Sequence, residues 1–217
     1  MIKNVIFDLD GTLADTIEDI KNIGDIALAR FGLPKIPTEK YKRFVGDGAK
    51  TLCQRMLAYN RSSESADELL TEYLKAYAMH EGEKIKPFSG IKEVLSDLTQ
   101  SGVKLFVVSN KPVKNVQTAL KILYPTIAFF ELIGGDSGFP LKPDTSSYTY
   151  LRDKYGLKED ETVSVGDGDA DVKFAQNIGV SGISCLWGYR TKEDLEKVGA
   201  TTFATTPAAL LEIIHSL

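Results

Sequence analysis

Short apolar runs alternate with longer amphipathic segments along most of the chain. The runs are rich in Val, Ile and Phe, which is typical of buried strands, and they cover residues 5–7, 104–108, 129–133, 162–165, 183–186 and 202–204. Between them, apolar residues recur at helical spacing over segments of about ten residues. Strands that alternate with helices in this way predict parallel βαβ units and a doubly wound sheet.

The alternation is interrupted once, directly after the first strand. Residues 14–83 contain only helical spacing, with four successive helices predicted. A segment of this length is too long for a connecting loop and needs a small core of its own. The pattern therefore predicts an α/β fold. Its core, residues 1–13 and 84–217, would be a Rossmann-like, mainly parallel sheet, and residues 14–83 would form an inserted all-helical cap. We expect the hinge at the two crossings, residues 11–16 and 83–88.

The composition and charge of the chain exclude several classes of protein. The 217 residues are 43% hydrophobic and 26% charged, with a formal net charge of −4, so no basic surface for nucleic acid or anionic lipid is predicted. The N-terminus lacks the pattern of a signal peptide, and the longest charge-free stretch, residues 174–189, is too short to span a bilayer. Cys53 and Cys185 are predicted to be reduced, buried thiols. We expect a cytoplasmic protein with neither nucleic-acid nor membrane partners.

The predicted strands end in residues that suit phosphate and metal chemistry. Asp8 and Asp10 follow the first strand, Ser109 the second, and Asp167 the fourth, while Lys142 lies in the loop before the fourth. In open parallel sheets the carboxyl ends of the strands share one edge, where ligands bind. Crowded carboxylates repel one another unless a cation intervenes, and a partial shell of oxygen ligands suits Mg²⁺. A lysine and a hydroxyl beside such a cation would bind phosphate oxygens.

Four segments occur in the order of known sequence motifs. Asp8-Leu9-Asp10-Gly11-Thr12, Ser109-Asn110, Lys142-Pro143 and Gly166-Asp167 with Asp171 resemble the four motifs of the haloacid dehalogenase superfamily. The resemblance covers essentially the whole chain, including the helical insertion after the first motif. Within the superfamily, residues 46–50, 109–111 and 134–136 are most similar to the bacterial phosphoglycolate phosphatase branch.

The resemblance implies roles for the acidic residues. Asp8 would be the nucleophile and form an aspartyl-phosphate, and Asp10 would protonate the leaving group and then activate water. Asp8, the backbone carbonyl of Asp10 and Asp167 would hold Mg²⁺. Asp171 would orient the waters of the metal or Lys142 rather than bind the ion directly.

It also implies which residues would hold the substrate. Lys142 would neutralise the phosphoryl group. Ser109, with backbone N–H groups near Leu9, Asp10 and Asn110, would bind its oxygens. In the cap, Lys50 or Arg43 would meet a negatively charged part of the substrate.

The expected activity is a Mg²⁺-dependent phosphatase acting on a small phosphorylated substrate, with 2-phosphoglycolate favoured by the resemblance. A β-phosphoglucomutase or a pyrophosphatase of the same superfamily stays open as an alternative. A non-catalytic phosphate-binding protein is a further alternative, although binding alone does not require a nucleophile and an acid. A monomer or a homodimer is expected.

Overall fold

A computed structural model describes all 217 residues. It contains ten helices: α1 (Ile17–Arg30), α2 (Thr38–Phe44), α3 (Gly48–Tyr59), α4 (Ala66–His80), α5 (Ile91–Gln100), α6 (Val113–Leu123), α7 (Ser146–Tyr155), α8 (Asp169–Ile178), α9 (Lys192–Lys197) and α10 (Pro207–Ser216). The strands are β1 (Asn4–Phe7), β2 (Ala14–Asp15), β3 (Lys86–Pro87), β4 (Lys104–Val108), β5 (Glu131–Ile133), β6 (Thr162–Gly166), β7 (Ser181–Cys185) and β8 (Phe203–Ala204). A short 3₁₀ turn, Glu159–Glu161, precedes β6. None of the helices is long and apolar enough to cross a membrane.

Six of the strands form one parallel sheet in the order β5-β4-β1-β6-β7-β8. The sheet lies between two hydrophobic clusters, one containing Phe7, Leu95 and Val165 and the other containing Ile6 and Phe106. Both faces of β1 are therefore buried, which explains its continuous apolar run. The predicted doubly wound α/β fold is confirmed. The fold also puts β1 between β4 and β6, so the carboxyl ends of these three strands are neighbours.

Helices α1–α4 pack around a second hydrophobic core. Its fully buried members include Ile23, Leu28, Met56 and Leu69, which lie on three different helices. These are the apolar positions that the helical spacing indicated. The division of the chain at residues 13/14 and 83/84 into two domains stays a prediction.

The two crossings between these parts of the chain are paired with each other. Ala14 lies opposite Pro87 and Asp15 opposite Lys86 in a two-stranded antiparallel ribbon. The expectation that residues 14–83 contain no strand was wrong at Ala14–Asp15, because a two-residue strand carries no periodicity that a sequence can display. The third predicted strand was also too long, since it begins at Glu131 rather than at residue 129.

Candidate active site

The chemistry-bearing residues meet at the carboxyl edge of the sheet. Asp8 and Asp10 follow β1, Ser109 follows β4, and Asp167 follows β6. Lys142 comes from the loop before α7, and all five residues line one cavity of about 700 Å³ between the strand ends and helices α1–α4. The structure thus brings together residues separated by more than one hundred positions in the sequence.

Lys142 lies between two carboxylates. Its ammonium donates to Asp8 Oδ1 at 2.9 Å and to Asp171 Oδ1 at 2.6 Å, and its side chain is only 4% exposed. Burial disfavours the ammonium charge, but Asp171 and Asp8 outweigh this effect and hold the pKa of Lys142 above its ordinary value. Burial likewise raises the pKa of Asp8 to about 6, against the opposing effect of Lys142. This arrangement fixes a positive charge beside the Asp8 oxygens.

Three carboxylates at this edge form a cluster that fits a divalent cation. One oxygen each of Asp8, Asp167 and Asp171 lies within 4.8 Å of the others. Burial and then the charges of Asp171 and Asp8 raise the pKa of Asp167 well above its usual range, a cost that a bound cation would offset. The donors are all oxygens, the ligand type that Mg²⁺ and similar hard cations prefer.

The position of Asp167 is fixed by one backbone and one side-chain hydrogen bond and by the closeness of Gly11. Its Oδ2 accepts from the Tyr189 N–H at 2.7 Å, and its Oδ1 accepts from Thr12 Oγ1 at 3.2 Å. Gly11 is left-handed, with φ +86°, and a Cβ there would lie 2.6 Å from Asp167 Cγ. Both the positive φ and the lack of space for a Cβ therefore require a glycine at the turn that follows Asp10.

Asp10 lies in different surroundings from Asp8. Its Oδ1 accepts from Thr16 Oγ1 at 2.6 Å, and Lys111 Nζ lies 3.0 Å from Oδ1 and 3.2 Å from Oδ2. Asp8 therefore pairs with Lys142, and Asp10 with Lys111. Two neighbouring carboxylates with separate partners can play separate chemical roles.

Ser109 and Asn110 are both at the site, but their side chains act differently. Ser109 is buried and lines the cavity. Asn110 Oδ1 accepts from the Lys142 N–H at 2.8 Å, while its Nδ2 donates to Lys142 O at 3.1 Å and to Gly46 O at 2.8 Å. The Asn110 side chain is thus occupied with the backbone of Lys142 and of Gly46, which leaves its backbone N–H as the group that could face a phosphate.

The two cap residues named from the sequence have different positions. Arg43 lines the cavity and forms an ion pair with Asp194 of α9. Lys50 is 57% exposed, pairs with Asp67 at 2.8 Å and is not among the residues that line the cavity. The structure therefore does not bring Lys50 to the cavity, because helix α3 turns it toward α4.

Besides the exposed Lys173 and Lys197, three cationic residues that line the cavity were given no role from the sequence. Arg55 pairs with Asp47 at 2.6 Å, and Arg190 donates to the carbonyl oxygens of Lys42 and Val45. Lys111 faces Asp10. Lys111 and Arg190 both follow strands of the main sheet, which is a signal that could have found them. Arg55 gives no such signal, because only the packing of α3 turns it toward the cavity.

Comparison with known families agrees with this geometry. The sequence profile of the haloacid dehalogenase-like hydrolases matches residues 5–184. The chain belongs to this family. Its matched region extends from the strand that carries Asp8 to the strand that follows Asp167 and Asp171.

Individual relatives of this haloacid dehalogenase-like hydrolase are similar over nearly their full length. A phosphoglycolate phosphatase of Caulobacter vibrioides is 34% identical over 98% of this chain and 92% of its own. One of Vibrio parahaemolyticus is 30% identical over 98% of this chain and 96% of its own. The crystal structure of a predicted phosphoglycolate phosphatase from Haemophilus somnus superposes with a TM-score of 0.90 at 27% identity, covering 98% of this chain and 97% of that one. The chain is a phosphatase of the branch that contains these relatives.

Proposed function

We propose that this phosphatase hydrolyses a small phosphorylated metabolite, with 2-phosphoglycolate as the favoured substrate, through an aspartyl-phosphate on Asp8. The observation that carries the proposal is the Lys142 ammonium held between Asp8 and Asp171. A carboxylate that attacks a phosphate dianion meets strong repulsion between like charges, and a buried ammonium at 2.9 Å reduces it. The names of the relatives support 2-phosphoglycolate as the substrate.

The two motif-one carboxylates divide the proton and phosphoryl chemistry. Asp8 attacks phosphorus, the bond to the ester oxygen breaks, and Asp10 gives its proton to the leaving oxygen. Asp10 then takes a proton from water as that water attacks the aspartyl-phosphate, which releases inorganic phosphate and restores Asp8. Thr16 orients Asp10 through the 2.6 Å hydrogen bond to its Oδ1.

The remaining residues bind and position the phosphoryl group. Ser109 and the Asn110 backbone N–H bind its oxygens, while the Asn110 side chain holds Lys142 in place. Asp8, Asp167 and the backbone carbonyl of Asp10 would hold Mg²⁺, with Asp171 orienting Lys142. When bound, Mg²⁺ supplies positive charge that neutralises the phosphate and the attacking carboxylate.

A phosphate-release screen over small phosphorylated metabolites tests this function. It includes 2-phosphoglycolate, pyrophosphate and β-glucose 1-phosphate, each with Mg²⁺ and with EDTA. Release that is fastest from 2-phosphoglycolate, stops with EDTA and returns with Mg²⁺ is expected. Rapid-quench labelling should trap an acyl phosphate on Asp8; activity without such an intermediate would contradict the mechanism.

A further inference from the structure

Lys111 is a buried cation that faces the catalytic cavity. It follows the strand end that carries Ser109, its side chain is only 5% exposed, and it lines the cavity. Its ammonium lies 3.0 Å from Asp10 Oδ1 and 5.2 Å from the centre of the Tyr77 ring. None of the roles proposed above uses Lys111.

The ammonium of Lys111 retains hydrogen-bonding capacity. A lysine ammonium has three N–H donors, and the only acceptors of Lys111 in the protein are the two oxygens of Asp10. The arginines of the cavity are engaged elsewhere: Arg43 with Asp194, Arg55 with Asp47, and Arg190 with two carbonyl oxygens. Lys111 is the cation placed beside the carboxylate that serves the leaving group.

The position of Lys111 sets what it can contact in a substrate. In the proposed reaction Asp10 lies within roughly 3 Å of the ester oxygen, and Lys111 Nζ lies 3.0 Å from the same carboxylate. A substituent on the first carbon beyond the ester oxygen therefore comes within reach of the ammonium. Tyr73 and Tyr77 of α4 line this part of the cavity, and poorly hydrated surroundings strengthen attraction between opposite charges.

We propose that Lys111 determines substrate specificity by binding a carboxylate on the carbon next to the ester oxygen. The substrate class is that of short phosphate esters of 2-hydroxy acids. This inference rests on the proposed function and assigns the recognition of the carboxylate to the core strand end rather than to Arg43 or Lys50 of the cap. Tyr77 adds a ring from the cap helix α4 to the same ammonium, so the recognition site is formed only where the cap meets the core.

The test compares two substrates that differ in one group. 2-Phosphoglycolate and ethyl phosphate have the same two-carbon chain, with a carboxylate in the first and a methyl in the second. The wild type should prefer 2-phosphoglycolate in kcat/KM. In Lys111→Met this preference should fall by about 10-fold to 100-fold, the range of a hydrogen bond to a charged group, while Lys111→Arg should keep most of it.

Two matched variants locate the effect. Lys114→Met removes an exposed lysine near the start of α6 and should leave the preference unchanged. Arg43→Met removes the rival cation of the cap, and it should also leave the preference in place. A preference lost in Arg43→Met and kept in Lys111→Met would overturn the inference.

The remaining outcomes separate the inference from the proposed function. Equal losses on both substrates in Lys111→Met would mean that Lys111 only positions Asp10, and the specificity role would be wrong. If Lys111→Met turned over neither compound, binding of the two to Asp8→Asn with and without the same change would give the preference directly. A wild type that hydrolyses ethyl phosphate equally well refutes the inference alone, whereas a wild type that hydrolyses no phosphate ester refutes the proposed function.

Discussion

At the scale of single residues, the site separates two carboxylates that are only two positions apart. Asp8 lies against Lys142, and Asp10 lies against Lys111 and Thr16. Burial raises the pKa of Asp8 to about 6 from an ordinary value of 3.8, although Lys142 opposes the shift. Ionisation of Asp8 near neutral pH therefore lowers the free energy of unfolding of the metal-free protein. A perturbed pKa of this kind is typical of a catalytic carboxylate, in agreement with the proposed role of Asp8.

Asp8→Asn should reduce turnover by at least about 1,000-fold, because the amide cannot form the proposed aspartyl-phosphate. The same change should raise the Tm of the metal-free protein at pH 7.5, since it removes a buried charge. Between about pH 4 and pH 6, Asp8 of the wild type holds a proton in the folded state but not in the unfolded state. The free energy of unfolding of the wild type therefore increases as the pH falls through that window. The difference in Tm between Asp8→Asn and the wild type should therefore vanish at pH 4.

Calorimetry of the metal-free proteins at both pH values measures the difference in Tm, and phosphate release measures the loss of turnover. A lower Tm for Asp8→Asn at pH 7.5 would mean that the ion pair with Lys142 outweighs burial. Retained turnover would remove Asp8 from the role of nucleophile.

At the scale of elements, the end of α2 is held by residues of the core. Arg190 donates to the carbonyl oxygens of Lys42 and Val45, and Asn110 donates to Gly46 O at 2.8 Å. These carbonyls lie at or just beyond the carboxyl end of the helix, where partial negative charge favours a cationic donor. The loop that follows α2 is thereby positioned over the cavity, with Asn110 connecting it to Lys142.

Arg190→Met should lower kcat/KM by about 10-fold or more, because two hydrogen bonds from a charged group to the end of α2 are lost. Lys192→Met, which removes an exposed lysine at the start of α9, is the control and should have wild-type kinetics. Steady-state kinetics with 2-phosphoglycolate measures both. Wild-type kcat/KM in Arg190→Met would show that these contacts do not position the loop for catalysis.

Helix α1 contains a glycine that packing requires. A Cβ at Gly24 would lie 2.8 Å and 2.9 Å from the Cε1 and Cζ atoms of the buried Tyr41 ring. Gly24→Ala would gain about 1 kcal/mol from helix propensity alone, but overpacking costs about 1–3 kcal/mol. We therefore expect a lower Tm in thermal unfolding. A raised Tm would mean that Tyr41 moves aside freely.

At the scale of the whole molecule, the site lies where two hydrophobic cores meet. The sheet core supplies the acidic cluster and Lys142, and helices α1–α4 cover the opposite side of the cavity. Neither part alone surrounds a substrate. A conformational step that closes one part over the other would exclude water before the leaving group is protonated.

Mg²⁺ should raise the Tm of the wild-type protein, because a cation that binds only the folded state stabilises it. At 100 times its Kd the gain is about 2.7 kcal/mol, or roughly 5–10 °C for a chain of this size. Asp167→Asn should abolish most of the shift, while Asp136→Asn, outside the cluster, should retain it. An equal shift in both variants would place the cation elsewhere.

Much of the site could be predicted from the sequence because its main residues follow strands. In a parallel sheet every strand end reaches the same edge, so Asp8, Asp167 and Ser109 had to be neighbours once the strands were assigned. Lys142 is not itself at a strand end, but it lies in the loop that follows the third predicted strand, so the order of the elements also predicted it at this edge. The helical spacing of residues 17–77 predicted a separate apolar core for the same kind of reason, because a helix displays its buried face as a period in the sequence.

The contacts between distant charges were decided only by the tertiary structure. Lys50 pairs with Asp67, and Arg43 with Asp194, although one or the other was expected to meet a charged part of the substrate. Lys111 belongs to a segment that resembles the family but was given no role, and Arg190, which no motif includes, also lines the cavity. The periodicity of a strand or helix determines which of its faces is buried. The partner of an exposed or cavity-facing charge depends instead on how whole elements pack. That packing leaves no local pattern in the sequence.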